Sequence, residues 1–239
     1  MQGSLLEYQD GPCTCEAYVA HPAGQVSRRP CVLLLHAWHG ISRFEHEYVD
    51  KMAALGYVGI ALDLFGKGVR GDPTGDNSEL IRPFLDDRAM LRQRIRSGLD
   101  AAQRHPLVDP KRIAAVGHCF GAMAALDLAR SGAAGVRGVV SLHGLLHPPR
   151  IGPQGPITAR ILILHGYRDP YAPPSDVLAI ADELMSAQAD WELHAYGNAQ
   201  HAFTSVGRNA PEHGLVYDVR ADRRSWGATV NFLQEVLAK

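Results

Sequence analysis

The sequence predicts an α/β fold: a mostly parallel, doubly wound sheet with helices on both faces and an antiparallel hairpin at its N-terminal end. Two observations carry this expectation. Short apolar runs alternate with longer helical patterns along the 239 residues, and strand, helix, strand repeated in that way builds a parallel sheet. The runs themselves, such as CVLLLH at 31–36 and RILILHG at 160–166, are continuous in apolar character, as strands buried on both faces are.

In order along the chain, EYQDGPCTCEAYVAHP alternates around a turn at Asp10-Gly11 and predicts an edge hairpin. After the strand at 31–36 come a helix within 44–56, a strand from Tyr57 and a long polar helix within 78–104. A strand at 112–117 and an alanine-rich helix ending at Gly132 follow. The second half supplies the strands VRGVVSLHG, RILILHG and WELHAYG, a helix near 175–188 and a last helix from about 222 to 237. The stretches 66–77 and 147–158 are dense in Gly and Pro and read as surface loops between units of one sheet. One domain spanning 1–239 is the expected organisation.

Composition removes several function classes. With 24 Lys+Arg against 25 Asp+Glu and a formal net charge of −1, the chain has no field for a polyphosphate backbone. No nucleic-acid partner is expected. A 46% apolar content rules out a disordered chain. No run reaches membrane-spanning length, and the N-terminus lacks a basic and apolar export pattern. A soluble, cytoplasmic protein with no membrane partner is therefore expected. The 4 cysteines, Cys13, Cys15, Cys31 and Cys119, are too few and irregular for a disulfide scaffold, which fits a reducing compartment.

In an open α/β sheet, reacting groups gather beyond the carboxyl ends of the strands. Six of the 12 histidines fall there: His36, His39, His118, His143, His165 and His201. One edge carries more structure than the rest. Gly117-His118-Cys119-Phe120-Gly121 lies between an apolar strand and an alanine-rich helix. This is the nucleophile-elbow spacing, Gly-x-nucleophile-x-Gly, with cysteine in the serine position. The glycines are needed because side chains on either side of so tight a turn would collide with strand and helix. The start of a helix also favours a thiolate. A thiol is only a few per cent ionised at neutral pH, so a base is needed as well.

Base and orienting acid should follow in the chain order nucleophile, acid, histidine. Asp169, just past RILILHG, and His201, in GNAQHAF, satisfy that order at the correct edge. His194 is the rival base but lies within a strand pattern, and Asp63 is the rival acid but precedes the nucleophile. A tetrahedral oxyanion needs backbone donors. The N–H of Phe120, next to the nucleophile, and that of Trp38, in the loop HAWHGIS, are the candidates. Trp38 and Phe203 are candidate walls of a substrate pocket. The arginines Arg82, Arg88, Arg92, Arg94 and Arg96 read as a solvated helix face.

Taken together, LLLHAWHG, ALDLFGKG, GHCFGA, ILHGYRDP and HAF resemble the dienelactone hydrolase family of the α/β-hydrolase fold, from about residue 14 to the C-terminal helix. The resemblance implies a Cys119, Asp169, His201 triad that hydrolyses a small-molecule carboxylic ester or lactone through an acyl-cysteine, with no metal or organic cofactor. The family's namesake enzymes carry a glutamate beside the thiol and an arginine four residues after the catalytic histidine. Here those places hold Ala37 and Ser205, which points to a substrate other than dienelactone. His36, His39 and His118 are the candidates to replace the glutamate's charge. Two other classes compete with this reading. A metal-dependent hydrolase would use His36, His39 and His143, although no H-E-x-x-H is present. A non-catalytic small-molecule-binding protein would keep the fold without turnover. A dinucleotide site is disfavoured, because the glycines of SGAAGVRGVV follow a helix and precede a strand.

Overall fold

The computed structural model describes residues 1–73, 75–152 and 154–238. Thr74 and Pro153, one in each Gly/Pro-rich loop, lie outside the described residues. Among the described residues, eight strands form one sheet: β1 (Gln2–Asp10), β2 (Cys13–His21), β3 (Arg29–Leu35), β4 (Val58–Leu62), β5 (Val108–His118), β6 (Val136–Leu142), β7 (Arg160–Gly166) and β8 (Trp191–Tyr196). Their spatial order is β1-β2-β4-β3-β5-β6-β7-β8. The β1–β2 hairpin joins antiparallel to β4, and every pairing from β4 to β8 is parallel. The hairpin pairs Asp10 with Cys13, so its two-residue turn is Gly11-Pro12, one position later than the sequence suggested.

The inner strands are apolar because both faces are covered. Helices α1 (Arg43–Ala54) and α6 (Val219–Val236) pack Tyr48, Val49 and Met52, and Phe232, Leu233 and Val236, against one face. Helices α3 (Arg88–Arg104), α4 (Phe120–Arg130) and α5 (Pro174–Ser186) bury Leu91 and Ile95, Met123 and Leu126, and Ile180 and Leu184 against the other. Helix α1 starts with a reciprocal capping box: Phe44 N–H bonds Ser42 Oγ, and Glu45 accepts from Ser42 N–H. The expected helix over 78–104 is two helices, α2 (Ser78–Asp86) and α3. Asp87 separates them, because its carboxylate caps α3 by accepting from Met90 N–H at 2.9 Å.

The expectation of a wholly solvated arginine face also needs correction. Arg88 bonds both Asp127 oxygens at 2.8 Å, and Arg130 joins the same carboxylate while pairing with Glu183 at 2.7 Å. Arg94 is buried, bonding Asp10 at 2.6 Å and the Leu64 carbonyl at 2.9 Å. These cations are needed to neutralise buried carboxylates, which no sequence pattern records. Removing one partner of such a cluster strands the rest in low dielectric. Asp127→Ala should therefore destabilise the protein by about 3–5 kcal/mol, lowering Tm by roughly 10 °C. Thermal unfolding followed by circular dichroism checks this.

Candidate active site

Strand β5 runs into α4 through Cys119, which has φ 54° and ψ −115°. A non-glycine residue there stores about 1–3 kcal/mol of backbone strain and persists only where its surroundings impose it. The flanking glycines show what imposes it. A Cβ on Gly117 would sit 2.1 Å from the Gly121 carbonyl oxygen, and one on Gly121 would sit 2.1 Å from that of Leu35. Only with both side chains absent can the helix start this close to β3 and β5. Cys119 N–H is tied to the Leu142 carbonyl at 3.1 Å, and the partly exposed sulfur stands at the sheet's carboxyl edge.

Two loops bring the partners. After β7, Asp169 N–H bonds the Gly166 carbonyl, and its Oδ1 accepts from Tyr171 N–H at 2.8 Å. That leaves Oδ2 for His201 Nδ1 at 2.7 Å. On the other side of the ring, His201 Nε2 lies 3.1 Å from Cys119 Sγ. His201 is held from behind: its carbonyl accepts from Val216 N–H at 3.0 Å, and Ala202 turns the chain with φ 59°. The short strands β9 (Asn209–Ala210) and β10 (Leu215–Val216) anchor this loop. The three expected side chains thus form one hydrogen-bonded row.

Burial alone would drive a proton off His201, but the charge of Cys119 and the hydrogen bond that the ring donates to Asp169 outweigh it and push its pKa up to about 10. The neighbouring imidazoles go the other way. Burial pushes His118 down to about 3. Burial, then the charges of His201 and His118, holds His143 well below the usual range. His201 is therefore the imidazole in this cluster that holds a proton at neutral pH. His143, whose Nε2 lies 2.8 Å from Thr204 Oγ1 and whose ring centroid is 5.1 Å from that of His201, backs it as a neutral group. The sequence placed His143 at a strand end but gave no sign of this contact. It also missed Tyr171, which closes on the other side of His201 at 5.0 Å.

A cavity of about 980 Å³ opens over Cys119 and His201, the size of a small-molecule site. Trp38 lines it as expected. Phe203 does not: it is fully buried, packed edge-on against His143 and Tyr196, because the turn at Ala202 directs it under the loop. Among the described residues, neither the Trp38 nor the Phe120 N–H finds an acceptor in the protein, as donors reserved for an oxyanion require. Ala37 and Ser205 both line the cavity, as does Arg208, three residues beyond Ser205.

The rivals lie elsewhere. His194 is exposed on the edge strand near Glu192. Asp63 is fully buried, accepting from the N–H groups of Glu16, Phe65 and Gly66. His36 is a packing residue whose Nε2 accepts from Leu64 N–H at 3.0 Å. His39 lies 3.4 Å from Ser42 Oγ. Among the described residues, no three His, Cys, Asp or Glu side chains converge as a metal site, and no helix is long and apolar enough to cross a membrane.

Comparison with known proteins bears on the family and the fold. The sequence model of the Dienelactone hydrolase family matches residues 15–237. A crystal structure of a dienelactone hydrolase-like promiscuous phosphotriesterase from metagenomic libraries superposes with a TM-score of 0.92 at 32% identity, covering 99% of each chain. A probable 2-oxo-3-(5-oxofuran-2-ylidene)propanoate lactonase from Bradyrhizobium sp. is 27% identical over 91% of this chain and 88% of its own length. A carboxymethylenebutenolidase from Rhodococcus opacus is 24% identical over 91% of this chain and 85% of its own.

Proposed function

The chain belongs to the dienelactone hydrolase family, and from that premise we propose that it hydrolyses a carboxylic ester or lactone through an acyl-cysteine intermediate on Cys119. The observation that carries the reading is the Asp169, His201, Cys119 row, with contacts of 2.7 and 3.1 Å at a strained elbow.

With the shared proton resting on His201, the Cys119 sulfur attacks the carbonyl carbon, and the carbonyl electron pair moves onto oxygen. The N–H groups of Trp38 and Phe120 hold that oxyanion. As the pair returns, the C–O bond to the alcohol breaks and the leaving oxygen takes the proton from His201 Nε2. His201 then removes a proton from water, whose oxygen attacks the thioester. Collapse of the second tetrahedral adduct releases the acid and restores sulfur and imidazolium. Asp169 keeps Nδ1 protonated and the ring in plane throughout. No metal or organic cofactor enters these steps. Ala37 and Ser205 at the cavity wall favour a substrate other than dienelactone.

A panel of esters and lactones assayed on wild type and Cys119→Ser tests the proposal, and turnover of at least one class, lost in the variant, is expected. Panel-wide inactivity of wild type would instead leave a binding protein of the same fold.

The proton's position gives a second test. Because the pKa of His201 is raised, the base keeps its proton as pH climbs through neutrality and loses it only near 10. The His201 ring nitrogens should therefore keep imidazolium 15N NMR shifts from pH 7 to 9 and lose them near 10. An ordinary imidazole is already mostly neutral at about pH 7.5. Neutral-imidazole shifts for His201 at pH 8 would contradict the expectation.

A further inference from the structure

The cavity does not stop at the nucleophile. It continues down the seam between α1 and α6, where Phe44, Tyr48 and Lys51 line one side and Ser225, Trp226 and Thr229 the other. Each set recurs at helical spacing, so each presents one face of its helix. Beneath them lies His118, the last residue of β5, with the Phe44 and Tyr48 rings edge-on to it at 5.1 and 5.2 Å. Trp226 stands edge-on to Tyr48 at 5.4 Å. Phe44 remains 36% exposed in the cavity that also holds Cys119, an aromatic surface that an apolar group would cover with gain.

The apolar lining belongs to two separate packing clusters. Trp38, Ile81, Phe120 and Leu145 pack with the core on the α3–α4–α5 face of the sheet. Tyr48, Leu142 and Trp226 pack with the core on the α1–α6 face. Cys119, at the sheet edge, lies between them, so the cavity has apolar lining from both clusters. A small lactone, whose acyl and alcohol halves are one ring, presents a single body to the nucleophile and covers only part of that lining. An open-chain ester has two arms that diverge from the carbonyl carbon.

Resting on the ester-hydrolase reading above, we propose that the substrate is an open-chain ester with two substantial arms, one of them an uncharged aromatic or bulky apolar group lying in the α1–α6 seam against Phe44, Tyr48 and Trp226. The seam floor suits such an arm: Tyr48 and His118 are buried and neutral, so they offer rings and no charge. Lys51, 5.5 Å over the Trp226 ring, and Arg223 stay at the outer end.

Three esters followed by acid release in a pH-stat test this. Methyl acetate is the common reference, 2-phenylethyl acetate lengthens the alcohol arm, and methyl 3-phenylpropanoate lengthens the acyl arm. In wild type, kcat/KM should rise roughly tenfold or more over methyl acetate in at least one series, and Trp226→Ala or Phe44→Ala should remove most of that ratio. Phe44 is exposed enough for its variant to fold should Trp226→Ala fail to. A flat ratio in both series, or a ratio untouched in the folded variants, overturns the inference while Cys119-dependent cleavage of methyl acetate leaves the hydrolase reading intact. Absence of all three activities, or their survival in Cys119→Ala, overturns both.

Discussion

Cys119→Ala is expected to lower kcat for a short 4-nitrophenyl ester by roughly 10⁵- to 10⁶-fold, since removing one member of a triad that acts as a unit costs nearly as much as removing them all. Stability should hardly change. The sulfur is partly exposed, alanine meets the same backbone strain at φ 54°, and His201 keeps its bond to Asp169. Tm within about 3 °C of wild type, alongside lost turnover, separates chemistry from folding. Substantial activity in that folded variant would mean that another group attacks the carbonyl.

Asp169→Asn should lower kcat by roughly 10⁴-fold with little change in KM. Oδ1, which accepts from Tyr171 N–H at 2.8 Å, can remain in place. The position of Oδ2 matters more, because an amide nitrogen there cannot accept from His201 Nδ1. The imidazole must then carry its proton on Nε2, facing the sulfur, and can no longer act as a base toward it. In the variant His201 should also lose its proton at a lower pH, read by 15N NMR of the ring, since the hydrogen bond to Asp169 is one of the interactions that raise its pKa. A loss of less than tenfold would show that Asp169 only packs the ring.

The elbow was legible in the sequence because its requirement is local: two glycines bracket a nucleophile where backbone atoms would otherwise meet a Cβ at 2.1 Å. Asp169 and His201 were legible through chain order and through their places after β7 and β8, since a parallel sheet delivers its strand ends to one edge. What escaped depends on how distant elements meet. Phe203 has the composition of a pocket wall, yet one left-handed residue before it sends the ring into the core. Arg88 and Arg94 look solvated on a polar helix, but Asp127 and Asp10 draw them inward from 39 and 84 residues away. The α1–α6 seam belongs to the same class. Phe44, Tyr48 and Trp226 each fit an ordinary amphipathic helix, and only the packing of two helices on one sheet face brings them together on the wall of one cavity.

Cys119 as the covalent acyl acceptor is the claim most directly open to measurement. Wild-type protein mixed with excess 4-nitrophenyl acetate, acid-quenched within milliseconds and digested, should yield the peptide spanning His118–Phe120 with an acetyl group on Cys119 sulfur, appearing with the burst of nitrophenol and decaying with steady-state turnover. A nitrophenol burst with the acetyl group on a different residue, or steady turnover with no acylated peptide at any quench time, would contradict the account.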